Sequence, residues 1–124
     1  MIAWIRAHSL SAALSICSAA AIVSIVGCQN PTGSFNPNAT ANPTYSSISS
    51  VILSPACVSC HGGSGGYSFD SYQHTMKGVT AGDPSTSVLY TSVSGGRMPK
   101  GGPTLSAEQV QAISDWITAG ASNN

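Results

Sequence analysis

Charge is what this chain has least of. Among 124 residues there are 4 Lys or Arg and 4 Asp or Glu, a charged fraction of 6% with zero formal net charge. A chain with no basic stripe is not expected to bind nucleic acid. Length is also short, and 124 residues allow one small domain at most. No internal repeat appears, and no strand alternation of the kind that builds a βαβ unit is visible. Cysteine is scarce, with four in the chain, and two of these, Cys17 and Cys28, lie in or at the end of the N-terminal apolar stretch.

That stretch sets the compartment. "MIAWIRAH" carries Arg6, and "SLSAALSICSAAAIVSIVG" is an apolar run that stops sharply at Cys28, as an export signal does. The competing reading is a transmembrane anchor, against which the run only borders on the spanning length and has no positive flank after it. "SIVGC" resembles a bacterial lipoprotein lipobox, with Gly27 before Cys28 and Ile25 where the pattern prefers Leu. The resemblance implies a signal peptide over 1–27, cleavage before Cys28, and acylation of the Cys28 thiol and the new amino group. Several acyl chains, at about 0.8 kcal/mol per buried methylene, hold a protein on a bilayer. Residue 29 is Gln rather than Asp. By analogy with Gram-negative sorting, this points to the outer membrane more than the inner, with the protein facing the periplasm.

After the anchor comes "QNPTGSFNPNATANPTYSS", a mixture of Pro, Asn, Thr, Ser and Gly with almost no aliphatic side chains. It cannot bury enough to offset its ordering entropy. Residues 28–45 therefore read as an acylated N-terminus and flexible tether, reaching roughly 20 to 25 Å as a coil. The folded domain is left with 46–124, a size that rarely holds together without a staple.

Once Cys17 leaves with the signal and Cys28 takes lipid, Cys57 and Cys60 remain, and His61 follows directly. In an exported protein "CVSCH" matches the attachment motif of c-type haem: two thiols add to vinyl groups and the adjacent imidazole reaches the iron. Cysteines three apart in a helical turn project on one side, and His61 extends that surface. A thioredoxin-like redox pair needs a βαβ context that is not visible. Structural zinc needs a fourth ligand, for which only His74 is on offer. A plain disulfide leaves His61 and the missing core unexplained, whereas one covalent haem explains both.

A sixth iron ligand is offered by "SGGRMPKGGP", residues 94–103. Pro99 biases Met98 toward an extended backbone, and flanking glycines permit close approach to a haem face. The loop looks flexible, with Pro99 as its one rigid element. A thioether on iron raises the reduction potential and closes the site. The bland alternative makes Met98 an apolar plug. Rival ligands are His74, which lies close in sequence to the haem motif, and Met76.

Together these residues make the chain resemble a small monohaem cytochrome c of the class with a His and Met ligand pair. More narrowly, "RMPKGGPTLSAEQVQAISDWITAGA" resembles the C-terminal part of bacterial membrane-linked cytochrome c domains. The resemblance covers about residues 48–121. It implies Cys57 and Cys60 as thioether anchors of one haem c, His61 as proximal ligand and Met98 as distal ligand. It also implies an all-α fold of about four short helices around the haem. The function implied is that of a single-electron carrier without substrate chemistry, passing electrons between redox partner proteins. The alternative is a haem enzyme or sensor with an open or labile sixth position for peroxide or a diatomic gas. The stretch between His61 and Met98 departs from the pattern, with only "FDSYQHTMKG" family-like.

The helices follow from residue chemistry as well. "LSAEQVQAISDWITAG" has Ser106 as N-cap, Gln109 completing a capping box, and Leu105 with Val110 as a hydrophobic staple. Val110, Ile113 and Ile117 form its apolar stripe, Ala112 and Trp116 its edge, and Gly120 its end. A second helix is expected from Asp83 as N-cap with Pro84 at N1, carrying Val88, Leu89 and Tyr90. "FDSYQHTM" reads as a short third, and "SISSVILSPAC" as the helix leading into the haem motif, with the haem supplying the apolar centre. Arg97 and Lys100 flank Met98 as cations for solvent, a propionate or an acidic partner. Trp116 is read as core rather than haem edge, and Tyr67 and Tyr72 as candidates to hydrogen-bond a propionate or water.

Overall fold

The computed structural model describes residues 34–63 and 66–124. The signal expected over 1–27 and Cys28, expected to be acylated, lie outside these residues. The described residues are helical and contain no strand, as the sequence leads one to expect. No helix among them is long and apolar enough to cross a membrane.

The first helical rod runs over 45–61 in three parts: α1 (Tyr45–Ile48), a π-helical stretch (Ser49–Cys57) and α2 (Val58–His61). Thr44 caps its start by accepting from the Ser47 N–H. Pro55 sits inside the π stretch. Lacking an N–H, it cannot close the ordinary helical bond, and the turn widens so that the Val58 N–H reaches the Leu53 carbonyl. Helix α3 (Tyr72–Thr75) is capped by Ser71 and tightens into a 3-10 turn (Met76–Gly78).

The helix expected from Asp83 forms in two pieces, a 3-10 turn (Pro84–Thr86) capped by Asp83 and then α4 (Val88–Ser94). The break falls at buried Ser87, whose hydroxyl donates to the Asp83 carbonyl at 2.8 Å and accepts from the Thr80 N–H at 2.8 Å. Such side-chain bonding to the backbone competes with helix continuation. Helix α5 (Ala107–Thr118) has the expected capping box between Ser106 and Gln109, and Gly120 follows with φ 99°.

Helices α1 and α5 meet in the core. Ile48, Ile52 and Leu53 pack in one cluster with Ile113, Trp116 and Ile117, all essentially without exposure. The buried face of α5 carries Gln109, Ala112, Ile113, Trp116 and Ile117, while Val110 is only partly buried. Tyr45 stacks over this seam, 5.0 Å from the Tyr72 ring and 5.9 Å from Trp116. The protein thus assembles an apolar cluster from its own side chains, where the sequence suggested that haem alone would supply one. Cys57, Phe69, Leu89 and Val93 belong to that cluster and also line a large cleft.

Residues 34–44, read from sequence as the end of the tether, lie against the domain. Ala41 is buried, and the Gln109 side-chain amide donates to the carbonyls of Asn36 and Ala39 at 3.1 and 2.9 Å. Composition conceals this because the ties are made by backbone carbonyls, which every residue type carries.

Candidate functional site

A cavity of about 910 Å³ opens beside α2. One wall is the end of the first rod, with Pro55, Ala56, Cys57, Cys60 and His61; a second is α4, with Val88, Leu89, Ser92 and Val93. Tyr67 and Phe69 line it from the chain after the glycines, Met98 to Pro103 from the loop after α4, and Ser34 and Phe35 from the N-terminal segment. Both thiols, the imidazole and the thioether singled out from sequence therefore line one cleft.

The motif is held from two sides. Cys57 is buried at the junction of the π stretch and α2, and Cys60 is exposed one turn later. Burial, reinforced by nearby Cys60, pushes the Cys57 thiol up to about 12.

His61 is oriented by the chain that follows it. Its Nδ1 lies 2.9 Å from the Tyr67 carbonyl oxygen. A carbonyl only accepts, so Nδ1 carries the proton and the Nε2 lone pair is the one left for a metal. The Phe69 N–H donates to the His61 carbonyl at 2.9 Å, and the Phe69 ring meets the imidazole edge-on, with centroids 5.4 Å apart. The reversal uses Gly63 and Gly66, whose φ values of 147° and 84° disfavour any side chain. Gly63 and Gly66 thus have a structural role: they help turn the chain back onto His61.

Met98 is better anchored than a free loop. The N–H groups of Arg97 and Met98 both donate to the Ser92 carbonyl, at 3.0 and 3.1 Å, tying the residue to the end of α4. The Met98–Pro99 peptide is cis. Of the rival ligands, neither His74 nor Met76 lines the cleft. His74 is turned to Asp70, with Nδ1 2.6 Å from the carboxylate, and Met76 packs against the core. Bonds from His74 and then Ser68 hold the Asp70 carboxyl below its ordinary value of 3.8.

Three secondary expectations resolve clearly. Trp116 is core, 1% exposed, with Nε1 donating to the Ser122 carbonyl at 2.9 Å. The Tyr72 hydroxyl donates to the Ala121 carbonyl rather than facing the cleft. Tyr67 does line the cleft, yet its clearest contribution is its backbone carbonyl, which no side-chain motif announces. Lys100 borders the cleft, while Arg97 is exposed and reaches the Thr91 carbonyl at 3.4 Å. Phe35, Phe69 and the α4 wall were not foreseen as site residues. Phe69 alone had a sequence signal, as a large aromatic eight residues after the imidazole.

The chemistry of this donor set fits a c-type haem. Two thiols, an imidazole with Nε2 available and a thioether line a cavity near the upper end of the usual 300 to 1,000 Å³ range for bound ligands, with largely apolar walls. Zinc fits poorly, since no group of three or more His, Cys, Asp or Glu side chains among the described residues is arranged to hold a metal ion.

Comparison with known proteins agrees. A family model described as cytochrome C oxidase, cbb3-type, subunit III matches residues 46–117, more than half of the chain. No curated protein and no solved structure matches it.

Proposed function

Because the chain belongs to this family of cytochrome c domains, and is thereby a small monohaem c-type cytochrome with one covalent haem c, we propose that it is a lipid-anchored single-electron shuttle. Haem-based electron transfer follows from the family; the anchor, the ligand set and the compartment are our reading. The observation that carries it is the gathering of Cys57, Cys60, His61 and Met98 on one cleft.

In this reading Cys57 and Cys60 would hold the haem by thioether bonds, and His61 Nε2 and the Met98 thioether would be the groups that bind its iron. The haem supplies a one-electron iron couple when bound. The chain does the rest. Tyr67 fixes the imidazole's tautomer and aim, the Ser92 carbonyl holds the Met98 backbone, and apolar walls exclude water. Val88, 39% exposed, and Lys100 border the cleft. Small borders of this kind suit the weak, short-lived interfaces of redox partners.

Cleavage before Cys28 and its acylation would place the domain on the periplasmic face of a membrane, the outer more than the inner. Because residues 34–44 lie along the domain, Ser34 stands roughly six residues after Cys28, a separation of at most about 20 Å of chain. The anchor would then hold the cleft side of the protein close to the bilayer.

The reading is tested on the intact protein in two steps. Its mass should equal the chain from Cys28 plus one haem and acyl groups; a mass without haem overturns the central claim, and haem without lipid leaves a free periplasmic carrier. The reduced protein should resist carbon monoxide at neutral pH and should not turn over hydrogen peroxide at enzymatic rates. Rapid, complete binding would favour an enzyme or sensor with an open sixth position.

A further inference from the structure

Gln109 looks from sequence like half of a helix cap. Its side chain is fully buried, and it does more than cap. Oε1 accepts from the Ser106 N–H at 3.2 Å, which completes the capping box. Nε2 points away from that box and donates to two carbonyls about 70 residues distant in sequence, Asn36 at 3.1 Å and Ala39 at 2.9 Å. One amide thereby satisfies the start of α5 and clamps a segment with little apolar surface of its own. Ala41 is buried beside the clamp, and the Ala39 N–H closes a turn onto the Asn36 carbonyl at 3.1 Å.

The segment ahead of that turn does not run off into solvent. Phe35, partly buried against the core, lines the haem cleft together with Ser34. It lies one residue before the first clamped carbonyl, so the position of its ring follows from the position of the turn.

We propose that Gln109 is a positioning residue for electron transfer: by clamping the 36–39 turn it holds Phe35 as a wall of the haem cleft, and this wall raises the reduction potential. The physical basis is desolvation. Oxidised haem carries one more positive charge than reduced haem, and water reaching the cleft stabilises the oxidised form, lowering the potential. An aromatic ring held as part of the cleft wall keeps that water out. The inference rests on the haem occupying this cleft, and not on which side chain is the sixth ligand.

The experiment uses the intact haem-loaded protein and three substitutions. Gln109→Glu keeps the acceptor toward Ser106 and removes both donors; Gln109→Met removes donors and acceptor without introducing a buried charge; Phe35→Ala removes the wall and leaves the clamp. In either Gln109 variant, amide hydrogen exchange over 36–41 should quicken about tenfold or more, as the loss of two part-buried hydrogen bonds implies. The reduction potential should fall in the same direction as in Phe35→Ala. Adding Phe35→Ala to Gln109→Met should lower it little further, because both act through one ring. If Gln109→Glu does not fold, Gln109→Met carries the same comparison. An unchanged potential in Phe35→Ala, or in a Gln109 variant whose 36–41 amides have become labile, overturns the proposal, as do strictly additive shifts. A wrong distal ligand would show instead in the axial spectrum of Met98→Ala, leaving these readouts interpretable.

Discussion

The imidazole of His61 donates from Nδ1 to the carbonyl of Tyr67, six residues further along the chain, at 2.9 Å. This bond selects the tautomer that leaves Nε2 available. The Tyr67 ring is itself braced by Gly78, where an added Cβ would stand 3.2 Å from the ring carbon Cδ1. Gly78→Ala should therefore shift Tyr67 and cost about 1 kcal/mol, at the low end of overpacking effects. Thermal unfolding measures the cost, and paramagnetically shifted NMR signals of the His61 ring report its reorientation. Unchanged signals in a destabilised variant would show that the carbonyl does not aim the imidazole.

Met98 and His74 make a second comparison. Met98 lines the cleft and is tied to Ser92, whereas His74 is turned to Asp70 outside it. Met98→Ala should retain covalent haem and most helix content. It should lose the weak iron-to-sulfur charge-transfer band and lower the reduction potential. His74→Ala should leave the axial spectrum of the oxidised protein unchanged. The opposite pattern would mean ligation by two histidines. His61→Ala should do far more harm, because the proximal bond is lost and haem attachment during maturation suffers.

Much of this arrangement was written in side-chain patterns. The cap at Ser106, the helical rod leading into "CVSCH" and the loop carrying Met98 each depend on residue type at fixed spacing, and each appears; the stripe of α5 is turned from the expected one, with Ala112 and Trp116 buried beside Ile113 and Ile117 and Val110 only partly buried. What sequence concealed are contacts made by backbone carbonyls. Tyr67 holding His61, Ser92 holding Met98, and Asn36 with Ala39 held by Gln109 all use atoms that every residue carries. For the same reason a segment poor in aliphatic residues looked like free tether up to residue 45. The interruption at Ser87 escaped notice because its hydroxyl bonds to Thr80 and Asp83, whose proximity only the fold creates.

Trp116 offers a test that separates core from site. It is 1% exposed, donates to the Ser122 carbonyl, stacks near Tyr45 and does not line the cleft. Trp116→Ala should cost about 3 to 5 kcal/mol. Trp116→Phe should cost about 1 to 2 kcal/mol through the lost hydrogen bond and reduced contact. Denaturant unfolding gives both values. The reduction potential of Trp116→Phe should match that of the parent, and a large shift would place the indole close to the haem after all.

The pair of Asp70 and His74 predicts a response to acid. His74 first and Ser68 second hold the Asp70 carboxyl below its ordinary 3.8, so the folded state binds this proton more weakly than the unfolded chain. The contribution is fully present above that ordinary value and is lost as pH falls through the lower folded one. Asp70→Asn removes the titrating group. The parent should therefore be the more stable protein above about pH 5, with the difference shrinking below pH 4 and the two curves converging in stronger acid. The carboxylate is exposed, so the effect is small and should weaken with added salt. Melting temperatures of both proteins between pH 2.5 and 7, at low and high ionic strength, decide the matter. Parallel curves over the whole range would mean that Asp70 and His74 do not pair in solution, and the reason given for His74 standing away from the cleft would go with them.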